Sequence, residues 1–221
     1  MKFFERSYNS ELIRPKPLIH QDEAGGLILI VTPWGSQEGA QKTLDFIVQH
    51  LMTVKQDQEH TSPFQKIQSL SDDANQLRQA AMMANDFIYR SVNPDSLELV
   101  VEVLFLGIQK KQVAWCQIGC PHLLLKKKKE SLQPISCHPE TRADLLKFPL
   151  PQYFLGADAT VSPRCGDLQL DKGDEVILLS SSQLPTSLWS ATQSSELEEW
   201  TDRITEVDSS QPFWLGRLKL D

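Results

Sequence analysis

The sequence has no apolar segment long enough to cross a membrane, since about 20 consecutive apolar residues are needed for that. Its richest apolar stretch, residues 97–108, is interrupted by Glu98 and Glu102. Three of the first six residues are charged, whereas a secretory signal peptide needs an apolar core near its N-terminus. We therefore expect a soluble, cytoplasmic protein with no membrane partner.

Cysteine and positive charge are also scarce. Four cysteines in 221 residues do not form the disulfide framework of a small secreted domain, so we expect reduced thiols. The formal net charge of -7 argues against nucleic-acid binding, because neutralising phosphates requires a basic face. An apolar fraction of 40% is sufficient for a packed core, and the length predicts one domain over residues 1–221.

The first half of the chain predicts one strand followed by two helices. Residues 26–31 form a short, continuously apolar run that is typical of a strand buried on both faces, and residues 32–36 are expected to end it. Apolar residues at helical spacing predict helices over residues 37–54 and 72–90. Ser36 is the predicted N-cap of the first helix.

The second half is dominated by strands. Alternating or continuous apolar runs with short intervening turns predict an antiparallel meander, followed by a further buried strand, a helix and a last strand. The predicted meander strands are residues 97–107, 113–118, 122–126 and 132–137, and the later elements are residues 174–181, 197–207 and 213–220. This order of elements predicts an α+β fold in which two packed antiparallel sheets are flanked by helices.

Residues 168–184 carry the most informative motif. They read Leu-Gln-Leu-Asp-Lys-Gly-Asp, then an apolar strand, then Ser-Ser-Ser-Gln-Leu. This segment resembles the strand, Gly-Asp turn, buried strand and Ser-Asp-Gly-Leu signature of the protein phosphatase 2C family, the metal-dependent serine/threonine phosphatases. Ser182 stands where the signature has a metal-ligating aspartate, and Gln183 stands where it has glycine.

A second landmark lies near the N-terminus. The family has a strand, then Asp-Gly-X-Gly-Gly, then a Gly-Glu-X-Ala-Ser helix start, and residues 27–40 resemble this order. The resemblance puts Pro33 at the aspartate that bridges two metal ions in the family. Trp34 replaces a flexible glycine there, and Gly35 keeps a family glycine. Ala84 and Asn85 resemble a packing motif of the family's second helix.

Two further positions complete the resemblance. In the family, a strand is followed by Gly-Asp-Ser-Arg, and here Gly119 is kept while Cys120 replaces the aspartate and His122 the arginine. The family's last ligand comes from an Asp-Asn pair before the final strand, and Gln211 lies at about that place. No phosphate-binding arginine near the N-terminus stands in a clear motif, with Arg6 and Arg14 as the available residues.

The resemblance implies a four-layer α-β-β-α sandwich, and in the family a pair of Mg²⁺ or Mn²⁺ ions that hydrolyses phosphoserine and phosphothreonine. Such hard cations require carboxylate oxygens. Pro33, Ser182 and Gln211 provide none, so we expect no bound metal, no cofactor and no catalytic residue. The predicted function is a pseudophosphatase that binds a protein partner, such as a phosphoprotein or a kinase, in bacterial signalling. Trp34 either plugs the old cleft or offers an aromatic anchor.

Three other interpretations use the same residues. A divergent phosphatase would recruit new ligands from four candidates: Asp158, Asp167, Asp174 and His122. A structural subunit of a larger assembly would present an exposed apolar patch. A zinc cluster would draw on five residues, although their spacing does not match a compact zinc knuckle: Cys116, Cys120, His122, Cys137 and His138.

Overall fold

The structure is a computed structural model that describes residues 2–56, 64–128, 132–138, 151–190 and 196–219, with the side chains of residues 55, 56 and 190 excepted. The chain divides into two compact units. Unit 1 comprises Met1–Lys16, Gly119–Gln152 and Leu170–Asp221, and unit 2 comprises Pro17–Ile118 and Tyr153–Gln169. That the whole chain is one domain stays a prediction.

The strands in chain order are β1 (Lys2–Tyr8), β2 (Leu18–Asp22), β3 (Leu27–Gly35), β4 (Leu99–Gln109), β5 (Gln112–Ile118), β6 (His122–Lys126), β7 (Gln133–Ser136), β8 (Arg164–Gln169), β9 (Glu175–Ser180) and β10 (Phe213–Lys219). The helices are α1 (Gln37–Gln56), α2 (Asp72–Phe87), α3 (Ser187–Ser190) and α4 (Leu197–Val207), and a π-helical turn, Ile88–Val92, follows α2. Among the described residues, no helix is both long and apolar enough to span a membrane.

Unit 2 is built on one antiparallel sheet with the strand order β2-β3-β4-β5-β8. Side chains alternate across a strand, so Leu29, Val31, Val103 and Phe105 share one face. That face packs against α1 and α2 in a continuous core of buried apolar side chains. The Ser36 hydroxyl accepts a hydrogen bond from Gly39 N at 3.1 Å, which confirms the predicted N-cap of α1.

Unit 1 is built on a second antiparallel sheet with the strand order β1-β10-β9-β6-β7. Its core is formed by strand residues such as Ile177 and Leu215 together with Trp200 and Ile204 of α4. The α+β class, with two antiparallel sheets and flanking helices, is therefore confirmed. Helix α4 has the predicted bounds, and α1 differs from its prediction only at its end.

The prediction that residues 32–36 end the first buried strand is wrong, because β3 continues to Gly35. Pairing with β2 stops at Val31, which lies opposite Leu18. Beyond that point, β3 has a strand neighbour on one side only, where it pairs with β4. A strand edge is the place where proline is tolerated, because a missing N–H then removes no ladder hydrogen bond. Pro33 therefore does not interrupt the strand.

The predicted meander is wrong at one connection. Strands β4 and β5 form the expected hairpin, and β6 pairs with β7. However, β5 belongs to the sheet of unit 2 and β6 to the sheet of unit 1. An apolar pattern indicates that a strand is buried and does not name its partner. The chain turns at Gly119, whose φ of 72° lies in the left-handed region that favours glycine.

Candidate functional site

In unit 2, the site positions predicted from the sequence lie at the end of β3. Pro33 lies opposite Val101, which belongs to the core under α1 and α2. Paired residues project to the same face of a sheet, so Pro33 lies on the helix side. Thr32 and Trp34, its neighbours in the strand, therefore lie on the opposite face.

A buried carboxylate shares that opposite face. Glu102 lies opposite Thr32 in the register of β3 and β4, and only 2% of its surface is exposed. Trp34 Nε1–H donates a hydrogen bond to Glu102 Oε2 at 3.0 Å. In the sequence, Glu102 stands out only as an interruption of an apolar run. The available signal was that an acidic residue is almost never buried without a partner.

Gly35 has a structural reason to be glycine. Its φ of 126° lies in a region that side chains disfavour, and a Cβ atom would lie 2.1 Å from the Glu98 carbonyl oxygen. That same oxygen accepts a hydrogen bond from Ser36 N at 3.0 Å. Gly35 therefore permits the close approach of two backbone segments just before α1 begins.

In unit 1, a neutral histidine lies behind the turn that Gly119 opens. The His122 side chain is fully buried, and its Nε2 lies 2.9 Å from the Ser181 carbonyl oxygen. Since a carbonyl only accepts, Nε2 carries the proton and donates it. His122 Nδ1 accepts from His138 N at 3.1 Å. The pKa of His122 is lowered to about 4, first because of burial and also because of the nearby charge of Arg14, while the hydrogen bond to Ser181 opposes the shift.

The Ser181 carbonyl connects this turn to the segment after β9. Besides His122, the Cys120 thiol donates to the same oxygen at an Sγ–O distance of 3.6 Å. Ser182 and Gln183 follow directly and are half-buried. The structure thus brings Cys120 close to the 181–183 segment of the same unit.

Gln211 lies at the same end of the sheet. The register places Trp214 of β10 opposite Ser180 of β9. The residues before Trp214 and the residues after Ser180 therefore lie at the same end of these two strands. Gln211 is buried there. Neither an amide nor a serine hydroxyl carries the negative charge that a pair of divalent cations requires.

The structure distinguishes the two N-terminal arginines. Arg6 is exposed and forms an ion pair with Glu198 of α4. Arg14 is 4% exposed and lies close enough to His122 for its charge to lower the pKa of that histidine. Of the two arginines, Arg14 is therefore the one that lies near His122.

The candidate replacement ligands serve other contacts. Asp167 accepts hydrogen bonds from Ser71 Oγ at 2.6 Å and Ser71 N at 3.2 Å, at the start of α2. Asp174 is buried and accepts from Asp171 N at 3.0 Å, which closes the Gly-Asp turn before β9. Both nitrogens of His122 are used, as described above. The Asp158 side chain is exposed, and its backbone carbonyl accepts from Asn85.

These contacts bear directly on metal binding. Within the described parts of the chain, no group of three or more His, Cys, Asp or Glu side chains is arranged to hold a metal ion. All five members of the conceivable zinc cluster lie in those parts. The residues at the positions inferred from the resemblance, Pro33, Ser182 and Gln211, do not fit a Mg²⁺ or Mn²⁺ pair. That they are the vestigial positions stays a prediction.

Comparison with known proteins gives a result at the level of fold. No protein-family model and no curated protein matches the sequence. Several solved structures match over the whole chain. The PPM Ser-Thr phosphatase MsPP from Mycobacterium smegmatis is 12% identical, with 100% of this chain and 99% of that chain covered and a TM-score of 0.67.

Two further structures agree with it. The serine/threonine phosphatase PstP/Ppp of Mycobacterium tuberculosis is 17% identical, with 100% and 98% of the two chains covered and a TM-score of 0.67. The S. agalactiae serine/threonine phosphatase is 13% identical, with 100% and 99% covered and a TM-score of 0.68. The protein therefore has the fold of the PPM, or protein phosphatase 2C-type, serine/threonine phosphatases.

Proposed function

We propose that this protein is a non-catalytic protein phosphatase 2C-like protein, a pseudophosphatase that binds a protein partner in cytoplasmic signalling. One observation carries the proposal. Three of the four candidate replacement ligands, Asp167, Asp174 and His122, already hold backbone groups of the fold. Recruiting any of them to a metal would break a contact that positions a helix start, a turn or a buried strand end.

The chemistry supports the same conclusion. A two-metal phosphatase lowers the pKa of a bridging water and clamps the phosphoryl oxygens, and the ions must be held by carboxylates. Glu102 is the buried carboxylate at the end of β3, and it accepts a hydrogen bond from Trp34. Glu102 alone does not offset two doubly charged ions, and uncompensated charge is costly in a partly buried place.

We propose a phosphoprotein as the partner. Arg14 is the charged group beside His122, and the imidazole next to it is neutral at physiological pH because burial lowers its pKa to about 4. A guanidinium forms paired hydrogen bonds with phosphate oxygens. The similar structures named above come from bacteria, which supports a role in bacterial signalling, opposite a phosphorylated protein or its kinase.

The first experiment measures metal binding and turnover on the full chain. Calorimetric titration with Mn²⁺ and with Mg²⁺ is expected to show no saturable binding, and a phosphothreonine peptide is expected to remain intact in the presence of Mn²⁺. An active phosphatase of the same fold, assayed in parallel, is the positive control. Stoichiometric binding of two ions, or hydrolysis that a chelator abolishes, would contradict the proposal.

The second experiment concerns the partner. The chain is titrated with paired phosphorylated and unphosphorylated peptides, and the phosphorylated form is expected to bind at least about tenfold more tightly, which corresponds to about 1.4 kcal/mol. Arg14→Gln should remove that preference. Arg6→Gln is the matched control, because Arg6 is an exposed arginine that pairs with Glu198, and it should keep the preference. Equal affinity for both peptide forms would exclude phosphate recognition and direct attention to a kinase surface.

A further inference from the structure

Two cysteines face each other across neighbouring strands of unit 2. In the register of β5 and β8, Cys116 lies directly opposite Cys165. Both side chains take part in the core beneath α1 and α2, with Cys116 fully buried and Cys165 packed against its margin. Strand β8 is the last strand of its sheet, so Cys165 lies at the sheet edge while Cys116 lies one strand further in.

This arrangement satisfies the distance requirements of a disulfide. Directly opposed residues in an antiparallel pair have Cα atoms about 4.5–5.5 Å apart, and a disulfide joins residues whose Cα atoms are about 4.4–6.8 Å apart. Paired residues also project to the same face. The pKa of the Cys116 thiol is raised well above its usual range, first by burial and then by a hydrogen bond with Cys165.

We propose that Cys116 and Cys165 form a reversible site of oxidation, in which a peroxide converts the two thiols into a cross-strand disulfide between β5 and β8. All four cysteines of the chain are thiols in the structure. Disulfides of proteins in a reducing cytoplasm are mostly transient and redox-sensing. The two cysteines belong to unit 2, whereas His122 belongs to unit 1. The proposal does not depend on the proposed pseudophosphatase function.

The positions of the two thiols assign the order of steps. Cys165 is half-buried on the edge strand and is therefore more accessible to the oxidant than the fully buried Cys116. The thiolate is the nucleophile, and burial holds Cys116 in the protonated form. The Cys165 sulfur attacks a peroxide oxygen, the O–O bond breaks, and a sulfenic acid and one water form. In the second step, the Cys116 thiol gives its proton to the departing hydroxide as its sulfur attacks the Cys165 sulfur. The S–S bond forms, the S–OH bond breaks, and a second water leaves.

The disulfide would fix an edge strand in place. Strand β8 also carries Asp167, whose carboxylate accepts hydrogen bonds from Ser71, the N-cap residue of α2. Oxidation would therefore lock β8 onto β5 and secure the contact that holds the start of α2. Reduction would leave β8 attached by its ladder hydrogen bonds and side-chain packing.

The test uses the full chain treated with hydrogen peroxide and then alkylated. Intact mass before alkylation is expected to show the loss of two hydrogen atoms, and peptide mapping of the alkylated chain without reductant should show one crosslink, Cys116 to Cys165. The thermal midpoint should rise by on the order of 10 °C, because closing a long loop stabilises the folded state. Dithiothreitol should reverse both changes. Accumulation of sulfinic acid at Cys165 without a crosslink, or a crosslink to another cysteine, would overturn the proposal.

Two variants make the test specific. Cys165→Ser retains a small polar group at a half-buried position and should form no crosslink and show no rise in midpoint. Cys137→Ser is the matched control, because Cys137 is also half-buried but lies in unit 1, and it should behave like the unmodified chain. If Cys137→Ser also loses the crosslink, the pairing inferred from the strand register is wrong.

Discussion

At the residue scale, His122 shows how burial fixes the chemistry of a side chain. The same imidazole in water would titrate near neutral pH and ligate metals readily. Here its Nε2–H is given to Ser181 and its Nδ1 accepts from His138, so both nitrogens serve the fold. Protonation would place a second donor against the His138 N–H in a buried site that Arg14 already makes positive.

This predicts acid sensitivity with a definite sign. The pKa of His122 is about 4 in the folded state against 6.5 for an ordinary histidine, so the unfolded chain binds more protons between those values. The contribution of neutral His122 to the free energy of unfolding is therefore fully present above pH 6.5. It is lost as the pH falls toward 4, by up to about 3 kcal/mol. Urea denaturation across this range measures it. Gln has no titrating group, so His122→Gln should reduce the loss of stability between pH 6.5 and 4. The prediction is contradicted if the stability of this variant depends on pH as steeply as that of the unmodified chain.

The contact between Trp34 and Glu102 supports a second prediction at this scale. Trp34→Phe keeps the aromatic ring but removes the N–H that donates to Glu102, so a buried carboxylate loses a hydrogen bond. The expected loss in the free energy of unfolding is about 1–3 kcal/mol. Combining Trp34→Phe with Glu102→Gln should cost less than the sum of the single changes, since the two residues are coupled. Strict additivity in urea denaturation would show that the contact contributes nothing.

At the element scale, Asn85 attaches helix α2 to the loop that precedes β8. Its Oδ1 accepts from Gly156 N and its Nδ2 donates to the Asp158 carbonyl, both at 2.9 Å. In the sequence, Ala84 and Asn85 resemble a packing motif of the second helix of the protein phosphatase 2C family. The structure adds the physical reason for the asparagine: one buried amide side chain serves a donor and an acceptor of another segment.

We expect Asn85→Ala to lower the free energy of unfolding by about 2–4 kcal/mol, because the loss of both bonds leaves the buried Gly156 N–H unsatisfied. Asn85→Asp is the matched variant, since it keeps an acceptor for Gly156 and loses only the donor. It should retain protection of the Gly156 amide in hydrogen exchange, whereas Asn85→Ala should not. Equal exchange in the two variants would mean that packing, rather than hydrogen bonding, holds the loop.

The elements also show which parts of the fold could be predicted from the sequence. Local patterns were sufficient for α1 and α4, because the periodic apolar residues of each helix, and the Ser36 cap of α1, lie within or beside the segment itself. Local patterns gave wrong predictions where the neighbouring strand determines the structure. Strand β3 continues through Pro33 because of its single neighbour β4, and β5 and β6 enter different sheets although only three residues separate them.

At the scale of the whole molecule, the fold was more predictable than the site. Scattered landmarks at the right separations indicated the phosphatase fold, which the solved structures confirm at 12–17% identity. The role of Glu102 escaped prediction, because it depends on a hydrogen bond with Trp34 that lies far along the chain. The sequence offered Arg14 only as one of two arginines without a motif, because its proximity to His122 is likewise set by the fold. No local spacing encodes such contacts.

The pairing of β1 with β10 has a consequence for how the chain is made. Every residue of unit 2 has been synthesised once Gln169 is added. In unit 1, by contrast, Lys2 of β1 lies opposite Lys219 of β10, so β1 has no partner until all the residues that separate it from β10 have been synthesised. Unit 2 is therefore expected to fold on the ribosome while β1 is still an unpaired strand, and a chaperone that shields exposed edges would act on that segment first.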